Sequence, residues 1–374
     1  MHETTGRPVE AVVRACALLQ AFRSEGELLR LRDLVARTGL SKATAFRIVD
    51  TLVERGFIER VGDRQYRSAV KVTRRERYRI GYAAQSTEFA FSRDVTDSIT
   101  RAAAQAEVDL VVADNRYSPK VALRNAEMLI RERVNLIIEF QTDEHVAPEI
   151  SARYLEASIP VIAVEIPHPG AVYYGANNYG AGLIGGRYLG KWARLQWKGE
   201  VDEVILLELP MAGPLPRSRL TGTVGGIKDA LPALQDSRVV FLDGNGQFGP
   251  SLEVVRKHLR LTKAERVLVG AINDPSALGA LRAFEEAGRG QACAVMGQNA
   301  SMEARAELRR RGTRLIGSVA FFPERYGYGI IPLALDMLKA KPVPPAVFVK
   351  HQLVTPENVD QIYPHDALLA PTEQ

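Results

Sequence analysis

Basic and hydroxyl side chains gather at the start of one predicted helix, which begins after Ser41. Lys42, Thr44 and Arg47 fall outside the apolar stripe of that helix, and Arg64 stands in a predicted hairpin turn shortly after it. Side chains of these types bind phosphate oxygens or read the edges of base pairs, and the residues alone leave open which of the two Arg47 does. We therefore take Ser41, Lys42, Thr44, Arg47 and Arg64 as candidate DNA-binding residues.

The distribution of charge agrees with this interpretation. Residues 1–79 hold 17 Lys and Arg against 10 Asp and Glu, a net charge of +7, although the whole chain carries only +5. A basic excess confined to the first fifth of the chain indicates a polyanionic partner, most simply nucleic acid. A solvated surface that happens to be basic is the alternative.

The remaining reactive side chains form no pattern of a catalytic or metal site. The six histidines are scattered, and Cys16 and Cys293 lie far apart without metal spacing, so we expect no metal, no cofactor and no enzymatic activity. No apolar run reaches 18 residues, which predicts no membrane association. The first residues lack the pattern of a secretion signal, so we expect a cytoplasmic protein.

The elements that must position the basic side chains follow from apolar periodicity. Helices are predicted over Val9–Phe22, Leu31–Arg37 and Lys42–Arg55, and strands over Phe57–Val61 and Gln65–Ser68. The inner face of the third helix is expected to consist of Phe46, Val49, Leu52 and Val53. Two helices joined by a short turn at Gly39 and followed by a hairpin are typical of a winged helix-turn-helix.

The stretch LRLRDLVARTGLSKATAFRIVDTLVERGFIERVGDRQYRSA, residues 29–69, resembles the DNA-binding domain of the IclR family of regulators. This resemblance implies a winged helix-turn-helix domain over residues 1–70 that binds DNA; a winged helix that binds only protein is the alternative. The resemblance stops near residue 70, so the ligands of that family do not carry over. Residues 71–77 are predicted to be a basic linker, which either follows the phosphate backbone or is merely solvated.

From residue 78 the pattern changes to short apolar runs that alternate with amphipathic helices. Eight runs are predicted to be strands: Ile80–Ala84, Leu110–Ala113, Leu136–Phe140, Val161–Glu165, Val204–Glu208, Val239–Leu242, Val267–Ala271 and Ala294–Gly297. Helices such as Val121–Arg133 and Ser276–Ala287 lie between them. This repeated alternation predicts an α/β fold with parallel sheets flanked by helices.

Three marks within this part carry a second resemblance. Asn177 to Gly182 precedes a helix, Arg217-Ser218-Arg219 precedes Gly222, and Asn273-Asp274 leads into a helix. In this order they resemble the type I periplasmic-binding-protein-like sensor domain of ribose-binding proteins and LacI-type repressors. The resemblance implies a two-lobed domain over residues 78–355. The first lobe would contain residues 78–179 and 322–340, and the second residues 180–321 and 341–355, followed by a C-terminal tail over 356–374.

This fold holds its ligand between the lobes, at the carboxyl ends of the strands. Placed by strand ends, the candidate ligand-binding residues are Gln85, Phe89, Phe91, Glu165, Arg217, Phe248, Asn273, Asn299 and Phe321. Aromatic rings that stack on C–H faces, together with amides, carboxylates and guanidinium groups that meet vicinal hydroxyls, suit a sugar-like effector. Alternatively, Phe89 and Phe91 belong to the core, Asn273 caps a helix and Arg217 is a surface charge.

Two positions depart from the pattern of the sugar-binding members. Glu165 is followed by Ile166 where an Asp-Arg pair is common, and Asn299 stands where an Asp is common. One guanidinium that would hold the ligand is therefore absent. These departures weaken the prediction of a simple pentose or hexose.

Gly180 to Gly185 matches the G-x-G-x-x-G pattern of dinucleotide-binding proteins. The first glycine of that motif must end a strand, whereas here residues 176–179 intervene, so we expect these glycines to allow close helix packing instead. The sequence thus predicts a ligand-responsive transcriptional regulator that acts as a homodimer or higher oligomer on a DNA operator. The alternative is a nucleotide-dependent oxidoreductase with an accessory DNA-binding head.

Overall fold

The computed structural model describes residues 9–22, 24, 26–62, 64–70 and 78–366, and the chain divides into two compact units, residues 1–77 and 78–374. The predicted linker, residues 71–77, lies outside the described residues, as do the last eight residues of the predicted tail.

The first unit is a winged helix-turn-helix. Its elements are α1 (Glu10–Gln20), β1 (Leu29–Arg30), α2 (Leu31–Thr38), α3 (Lys42–Glu54), β2 (Ile58–Val61) and β3 (Gln65–Ser68). The three strands pair antiparallel in the order β1-β3-β2. One apolar core takes Leu18, Leu34 and Val49 from the three helices and Ile58 and Tyr66 from the hairpin. Because the hairpin shares that core, it is held beside α3.

The turn between α2 and α3 is fixed by two residues. Gly39 ends α2 in the left-handed region at φ = 66°, a conformation that would strain most other residues. Ser41 then caps α3, because its Oγ accepts a hydrogen bond of 3.2 Å from the backbone N–H of Thr44. Together they fix where α3, the helix with most of the candidate DNA-binding residues, begins.

The prediction that Phe46 lies on the inner face of α3 is wrong. Its side chain is 45% exposed, and the buried positions of α3 are Ala45, Val49 and Leu52. Successive helical residues are turned by about 100° from one another, so the residue after a fully buried Ala45 points away from the core.

Within its described residues, the second unit contains twelve strands, β4 to β15, which build two sheets, and ten helices, α4 to α13. In chain order they are β4 (Arg79–Ala84), α4 (Ala90–Gln105), β5 (Asp109–Asp114), α5 (Pro119–Arg131), β6 (Leu136–Glu139), α6 (Ala147–Glu156), β7 (Val161–Val164), β8 (Val172–Ala176), α7 (Asn178–Gln196), β9 (Glu203–Glu208), α8 (Pro214–Ala230), β10 (Val239–Asp243), α9 (Phe248–Leu259), β11 (Val267–Ala271), α10 (Asp274–Glu286), β12 (Cys293–Asn299), α11 (Met302–Arg309), β13 (Leu315–Ala320), α12 (Tyr326–Leu338), β14 (Ala346–Val349), β15 (Gln352–Val354) and α13 (Val359–Ile362).

These strands form two six-stranded sheets, one in each lobe. The first sheet is parallel with the order β14-β8-β7-β6-β4-β5. The second has the order β10-β9-β11-β12-β13-β15, and only β15 runs antiparallel to its neighbour. Strands such as β7 and β11 are buried along their whole length, as expected where helices cover both faces of a parallel sheet.

The chain passes between the lobes three times: after β8, after β13 and between β14 and β15. The predicted third crossing near Lys341, with residues 341–355 in the second lobe, is wrong, because Ala346–Val349 pairs with β8 in the first lobe. The crossing lies instead at Lys350 and His351. A four-residue strand at a sheet edge has too short an apolar pattern to be assigned to one lobe from sequence.

The described part of the predicted tail is also integrated in the second lobe. Val359 of α13 is buried, and the Asp366 carboxylate lies 2.7 Å from Nε of Arg305 and 2.9 Å from Nη1 of Arg309. Residues 356–366 therefore pack against α11 and do not form a free tail.

The glycines of the G-x-G-x-x-G pattern lie inside helix α7, which Asn177 caps. A β-carbon on Gly182 would collide with the backbone carbonyl of Arg219, and one on Gly186 would collide with that of Thr223, both in α8. The predicted role of these glycines in close helix packing is thus confirmed for Gly182. This contact fixes α8, and with it the side chains that α8 directs between the lobes.

Candidate functional site

A cavity of about 370 Å³ lies between the lobes of the second unit, at the carboxyl ends of their strands. Seven of the predicted ligand-binding residues line it: Gln85, Phe89, Phe91, Glu165, Phe248, Asn273 and Asn299. Residues that line it without having been predicted as ligand-binding include Tyr117, Thr142, Ile166, Leu209, Ala212, Pro216, Arg219 and Leu278. Its volume falls at the lower end of the range of about 300–1,000 Å³ that is usual for small-molecule sites.

Arg217 does not line the cavity, which corrects the prediction. Its side chain is 59% exposed, its Nε donates to a Glu208 carboxylate oxygen at 3.0 Å, and its guanidinium carbon lies 5.5 Å from the centre of the Phe241 ring. Two residues along a helix differ by about 200° in direction, so Arg219 faces the cavity where Arg217 faces away. The sequence did contain a signal, because Arg219 stands three residues before Gly222.

Arg219 is held in place by the second lobe and the nearby crossing. Its Nε and Nη2 donate to Asn178 Oδ1 at 3.1 and 2.6 Å, and its Nη1 donates to the carbonyl oxygen of Ile272. The guanidinium carbon lies 4.7 Å from the centre of the Phe321 ring. Burial lowers the pKa of Arg219 below its ordinary value, and the neighbouring carboxylate of Glu165 opposes this change.

Phe321 does not line the cavity either. It is buried at the second crossing, where its ring supports Arg219 on one side and lies 4.7 Å from the ring of His351. Its predicted role as a direct ligand contact is therefore replaced by that of a positioning residue.

Glu165 belongs to the first lobe and occupies a tight turn directly after β7. The Ile166 N–H donates to the Val164 carbonyl at 2.7 Å, and Glu165 between them has φ = 62°. Three-residue turns with positive φ at the centre are rare and strained. Such strain persists only where the surrounding structure compensates it, and at ligand sites it can fix a side chain in one direction.

The carboxylate of Glu165 is buried and partly satisfied. Oε1 accepts a hydrogen bond of 2.5 Å from the Tyr326 hydroxyl and one of 3.2 Å from the Ala176 N–H, whereas Oε2 lies 3.8 Å from Nη2 of Arg219. Burial raises the pKa of Glu165, and the Arg219 charge is the largest opposing influence. An acceptor and a donor from opposite lobes thus lie side by side within the cavity lining, which suits two neighbouring hydroxyl groups.

The amide of Asn273 both caps a helix and lines the cavity. Its Oδ1 accepts from the Ser276 N–H at 3.0 Å, and its Nδ2 donates to the Gly246 carbonyl at 2.8 Å. Asn299, in contrast, has φ = 101° and its side chain makes no hydrogen bond within the described residues. Asn273 therefore caps a helix and also lines the cavity, whereas the side-chain amide of Asn299 keeps its hydrogen-bonding atoms free.

Aromatic rings form much of the first lobe's wall. Phe89 packs edge-to-face against Tyr117 at 5.0 Å between ring centres. Phe91 contacts Phe140 and Tyr326 in the same manner, at 6.3 and 5.8 Å. Phe91 therefore belongs to the core and to the cavity wall at once.

The candidate DNA-binding residues lie on or near α3. Lys42, Arg47 and Arg64 are exposed and form no ion pair among the described residues. Ser41 and Thr44 are bonded to each other, with 2.8 Å between their hydroxyl oxygens, so they first of all fix the start of α3. The arrangement leaves three cations free for phosphate or base contacts.

Two further observations limit the chemistry of the described residues. Their helices are all too short or too polar to cross a membrane. Among them, no three His, Cys, Asp or Glu side chains are grouped so that they could hold a metal ion.

Comparison with known proteins agrees with both parts of the chain. The model of the periplasmic binding protein domain matches residues 80–342, and that of the IclR helix-turn-helix domain matches residues 11–62. Among curated proteins, none matches the sequence closely enough to count as a relative.

Solved structures of transport proteins share the fold of the second unit. An ABC transporter solute-binding protein from Mycobacterium smegmatis with bound glycerol is 20% identical, with a TM-score of 0.66 over 76% of this chain and 96% of that one. A periplasmic solute-binding protein from Actinobacillus succinogenes with bound D-allose is 18% identical, with a TM-score of 0.65 over 76% and 99%. An ABC transporter solute-binding protein from Bacillus halodurans with bound myo-inositol is 21% identical, with a TM-score of 0.64 over 76% of this chain and 97% of that one.

Proposed function

We propose that this chain is a DNA-binding transcriptional regulator controlled by a small sugar-like effector. The chain belongs to the family of the periplasmic binding protein domain and carries an IclR helix-turn-helix domain at its N-terminal end. The observation that carries the effector proposal is the buried pair of Glu165 and Arg219, which come from opposite lobes and both line the cavity. Proteins of the same fold bind glycerol, D-allose and myo-inositol, which supports a polyhydroxylated effector here.

The effector site in this proposal consists of Gln85, Phe89, Phe91, Glu165, Phe248, Asn273 and Asn299, with Arg219 in place of Arg217. A ligand that bridges the lobes favours the arrangement in which both lobes contact it. The proposed function consists of binding and regulation, without a catalytic step.

The DNA site in this proposal is the exposed side of α3 with Lys42, Thr44 and Arg47, together with Arg64 of the hairpin and with Ser41 as the cap that orients the helix. We further propose that the protein acts in the cytoplasm as a homodimer on two related half-sites, because pairing two small heads raises affinity without new contacts.

The proposal is tested by two measurements on the full chain. Duplexes selected by the protein from a random DNA library should share a sequence, and a variant that lacks residues 1–70 should not bind them. A panel of sugars and polyols should contain members that raise the melting temperature, because a ligand of the folded state stabilises it. A protein that selects no common sequence and responds to no polyol would contradict the proposal.

A further inference from the structure

The cavity offers a sugar fewer hydrogen-bonding partners than its size suggests. Several of its polar side chains are already engaged: Gln85 Nε2 donates to Thr142 Oγ1 at 2.7 Å, and Asn273 uses both its oxygen and its nitrogen within the protein. Glu165 Oε2, the remaining N–H groups of Arg219 and the Asn299 amide keep free capacity, and the exposed carboxylates of Glu88 and Glu303 belong to the same lining. Most of the other lining side chains are apolar, so a polyol that filled the cavity would place hydroxyls against them, and each buried hydroxyl without a partner costs about 1–3 kcal/mol.

The second lobe contributes a run of apolar side chains to the lining. Pro216 precedes Arg219 by about one turn of α8, and Ala212 and Leu209 stand in the chain shortly before that helix. Leu209 packs close to Gly246, where a β-carbon would lie 3.0 Å from its Cδ2. The second lobe thus presents an arginine and three apolar side chains to the same cavity.

The first lobe provides apolar side chains as well. Phe89 and its neighbour Tyr117 form an aromatic corner, and Ile166, directly after Glu165, is almost fully buried in the lining. Ile166 is the position where the resemblance to sugar-binding members implied an arginine. A lining that combines a few polar groups with a majority of apolar side chains matches a ligand that has both a polar and an apolar part.

The charge of the lining excludes one class of such ligands. Among the lining residues, Glu88, Glu165 and Glu303 are acidic and Arg219 is the one basic residue. A carboxylate or phosphate on the ligand would meet this acidic excess, which disfavours anions.

We infer that the effector is an uncharged glycoside with an apolar, ring-sized aglycone: its sugar hydroxyls meet Glu165, Arg219 and Asn299, and its aglycone contacts Leu209 and its apolar neighbours. This inference rests on the proposed function, because it specifies the effector of the same cleft.

The experiment compares matched ligands on the full chain by thermal shift and calorimetry. The panel consists of D-glucose, D-galactose, D-mannose and D-xylose, each beside its phenyl α- and β-pyranosides, and phenyl β-D-glucuronide as the anionic counterpart. We expect at least one phenyl glycoside to bind ten times or more tighter than its parent sugar, which corresponds to about 1.4 kcal/mol. The glucuronide should bind more weakly than the phenyl glucoside.

The outcomes separate this inference from the proposed function. A free sugar that binds as tightly as its phenyl glycosides overturns the inference but leaves a sugar-responsive regulator standing. No binding by either class contradicts both. A phenyl glucuronide that binds more tightly than the glucoside overturns the statement that the effector is uncharged.

A variant links the preference to the apolar surface. Leu209→Ser should reduce the ratio of phenyl glycoside to parent sugar affinity at least threefold. Leu195→Ser, at a position of α7 that is 78% exposed, is the matched control and should keep the wild-type ratio. An unchanged ratio in Leu209→Ser, with its melting temperature intact, overturns the placement of the aglycone.

Discussion

At the scale of single residues, the cavity depends on a buried pair of opposite charges. Glu165 and Arg219 are both desolvated. Their attraction at 3.8 Å offsets this cost only together with the hydrogen bonds that Glu165 accepts from Tyr326 and Ala176 and those that Arg219 donates to Asn178. Removing one partner leaves the other charge buried and unpaired. The pair is therefore suited to a site that a ligand completes, because ligand hydroxyls can supply hydrogen bonds that these two buried groups still lack.

Replacing Arg219 with lysine keeps the charge but removes the planar group that bonds Asn178 and Ile272 at once. We expect Arg219→Lys to bind the effector at least tenfold more weakly, as measured by calorimetry with whichever panel compound stabilises the wild type. Arg217→Lys is the matched control and should bind normally, because Arg217 contacts Glu208 outside the cavity. Equal losses in the two variants would contradict the assignment of Arg219.

A second buried carboxyl makes stability depend on pH. Burial raises the pKa of Glu139 from 4.5 to about 7, against hydrogen bonds from Tyr154 and Asn115. Between these two pKa values the folded protein holds a proton on Glu139 that the unfolded chain releases. The contribution of Glu139 to the free energy of unfolding is therefore fully present below pH 4.5 and is lost as the pH rises through 7. Its size is roughly 3 kcal/mol.

The melting temperature of the wild type should fall between pH 5 and pH 8 as Glu139 ionises. We expect this fall to be smaller in Glu139→Gln. Asp274, whose pKa burial also raises to about 7, should keep part of the fall. Glu156→Gln changes an exposed carboxyl on α6 and is the control. A profile of Glu139→Gln that parallels the wild type over this range would show that Glu139 is ionised throughout.

Sequence patterns locate residues at strand ends well and side-chain direction poorly. Glu165, Asn273 and Asn299 were predicted because each follows an apolar run, and all three line the cavity. Arg217 was chosen instead of Arg219, because a helix of mixed composition with glycines on one face has no clear apolar stripe to show which side is buried. Phe321 follows a strand too, but its ring turns beneath Arg219.

At the scale of elements, helices α7 and α8 approach so closely that glycine is required where they touch. Gly186→Ala would place a methyl group against the Thr223 carbonyl and force the helices apart. We expect a loss of about 1–3 kcal/mol, visible as a lower melting temperature. Gly249→Ala in α9 has open space at the β-carbon and should be neutral or slightly stabilising. Equal effects of the two substitutions would refute this account.

Helix α3 provides the proposed DNA contacts, and its exposed Arg47 lies past the first turn. We expect Arg47→Ala to weaken binding to the selected duplex by about 1–3 kcal/mol if the side chain reads a base, and with little dependence on sequence if it holds a phosphate. Arg194→Ala removes the same charge from an exposed position of α7 in the second unit and should bind as the wild type does. Fluorescence anisotropy with specific and scrambled duplexes measures both.

The elements themselves were largely predictable. The three helices and two strands of the first unit follow from periodicity, Gly39 and Ser41, and the eight short apolar runs of the second unit all became strands. Strands β1, β8, β13, β14 and β15 and helix α13 were not identified. Their positions depend on pairing with distant strands, such as β14 with β8, and on ion pairs of Asp366, which local sequence does not encode.

At the scale of the whole second unit, the lobes meet on one side of the cavity. The Glu144 N–H of the first lobe donates to the Met211 carbonyl of the second at 2.9 Å. The Glu144 carboxylate also lies so close to Gly213, at the start of α8, that a β-carbon there would collide with it. A negative charge near a helix N-terminus is favourable, so Glu144 stabilises the arrangement in which the lobes are together.

Removing that charge should favour separation of the lobes. We expect Glu144→Gln to weaken effector binding by up to about fivefold, because roughly 1 kcal/mol of closed-state stabilisation is lost. Glu149→Gln, on α6 in the same lobe, is the control, since its carboxylate pairs with Arg153 within that lobe. Calorimetry that gives the same affinity for Glu144→Gln and wild type would show that this contact does not hold the lobes.

The order of the motifs was enough to predict a winged helix-turn-helix followed by a two-lobed α/β domain. The effector is harder to predict, because its class depends on which polar atoms stay free after capping and packing, as the contrast between Asn273 and Asn299 shows.

In the proposed regulator, the effector cleft and the DNA-binding domain are coupled. The most direct test measures the affinity of the full chain for its selected duplex by fluorescence anisotropy, with and without a saturating compound from the panel that stabilises the protein. The account predicts a change in Kd between about 5-fold and 150-fold for the wild type, the usual range of coupling between two sites, and a change of the same size for Arg217→Lys. A compound that binds the cleft and leaves the Kd for DNA unchanged would contradict it.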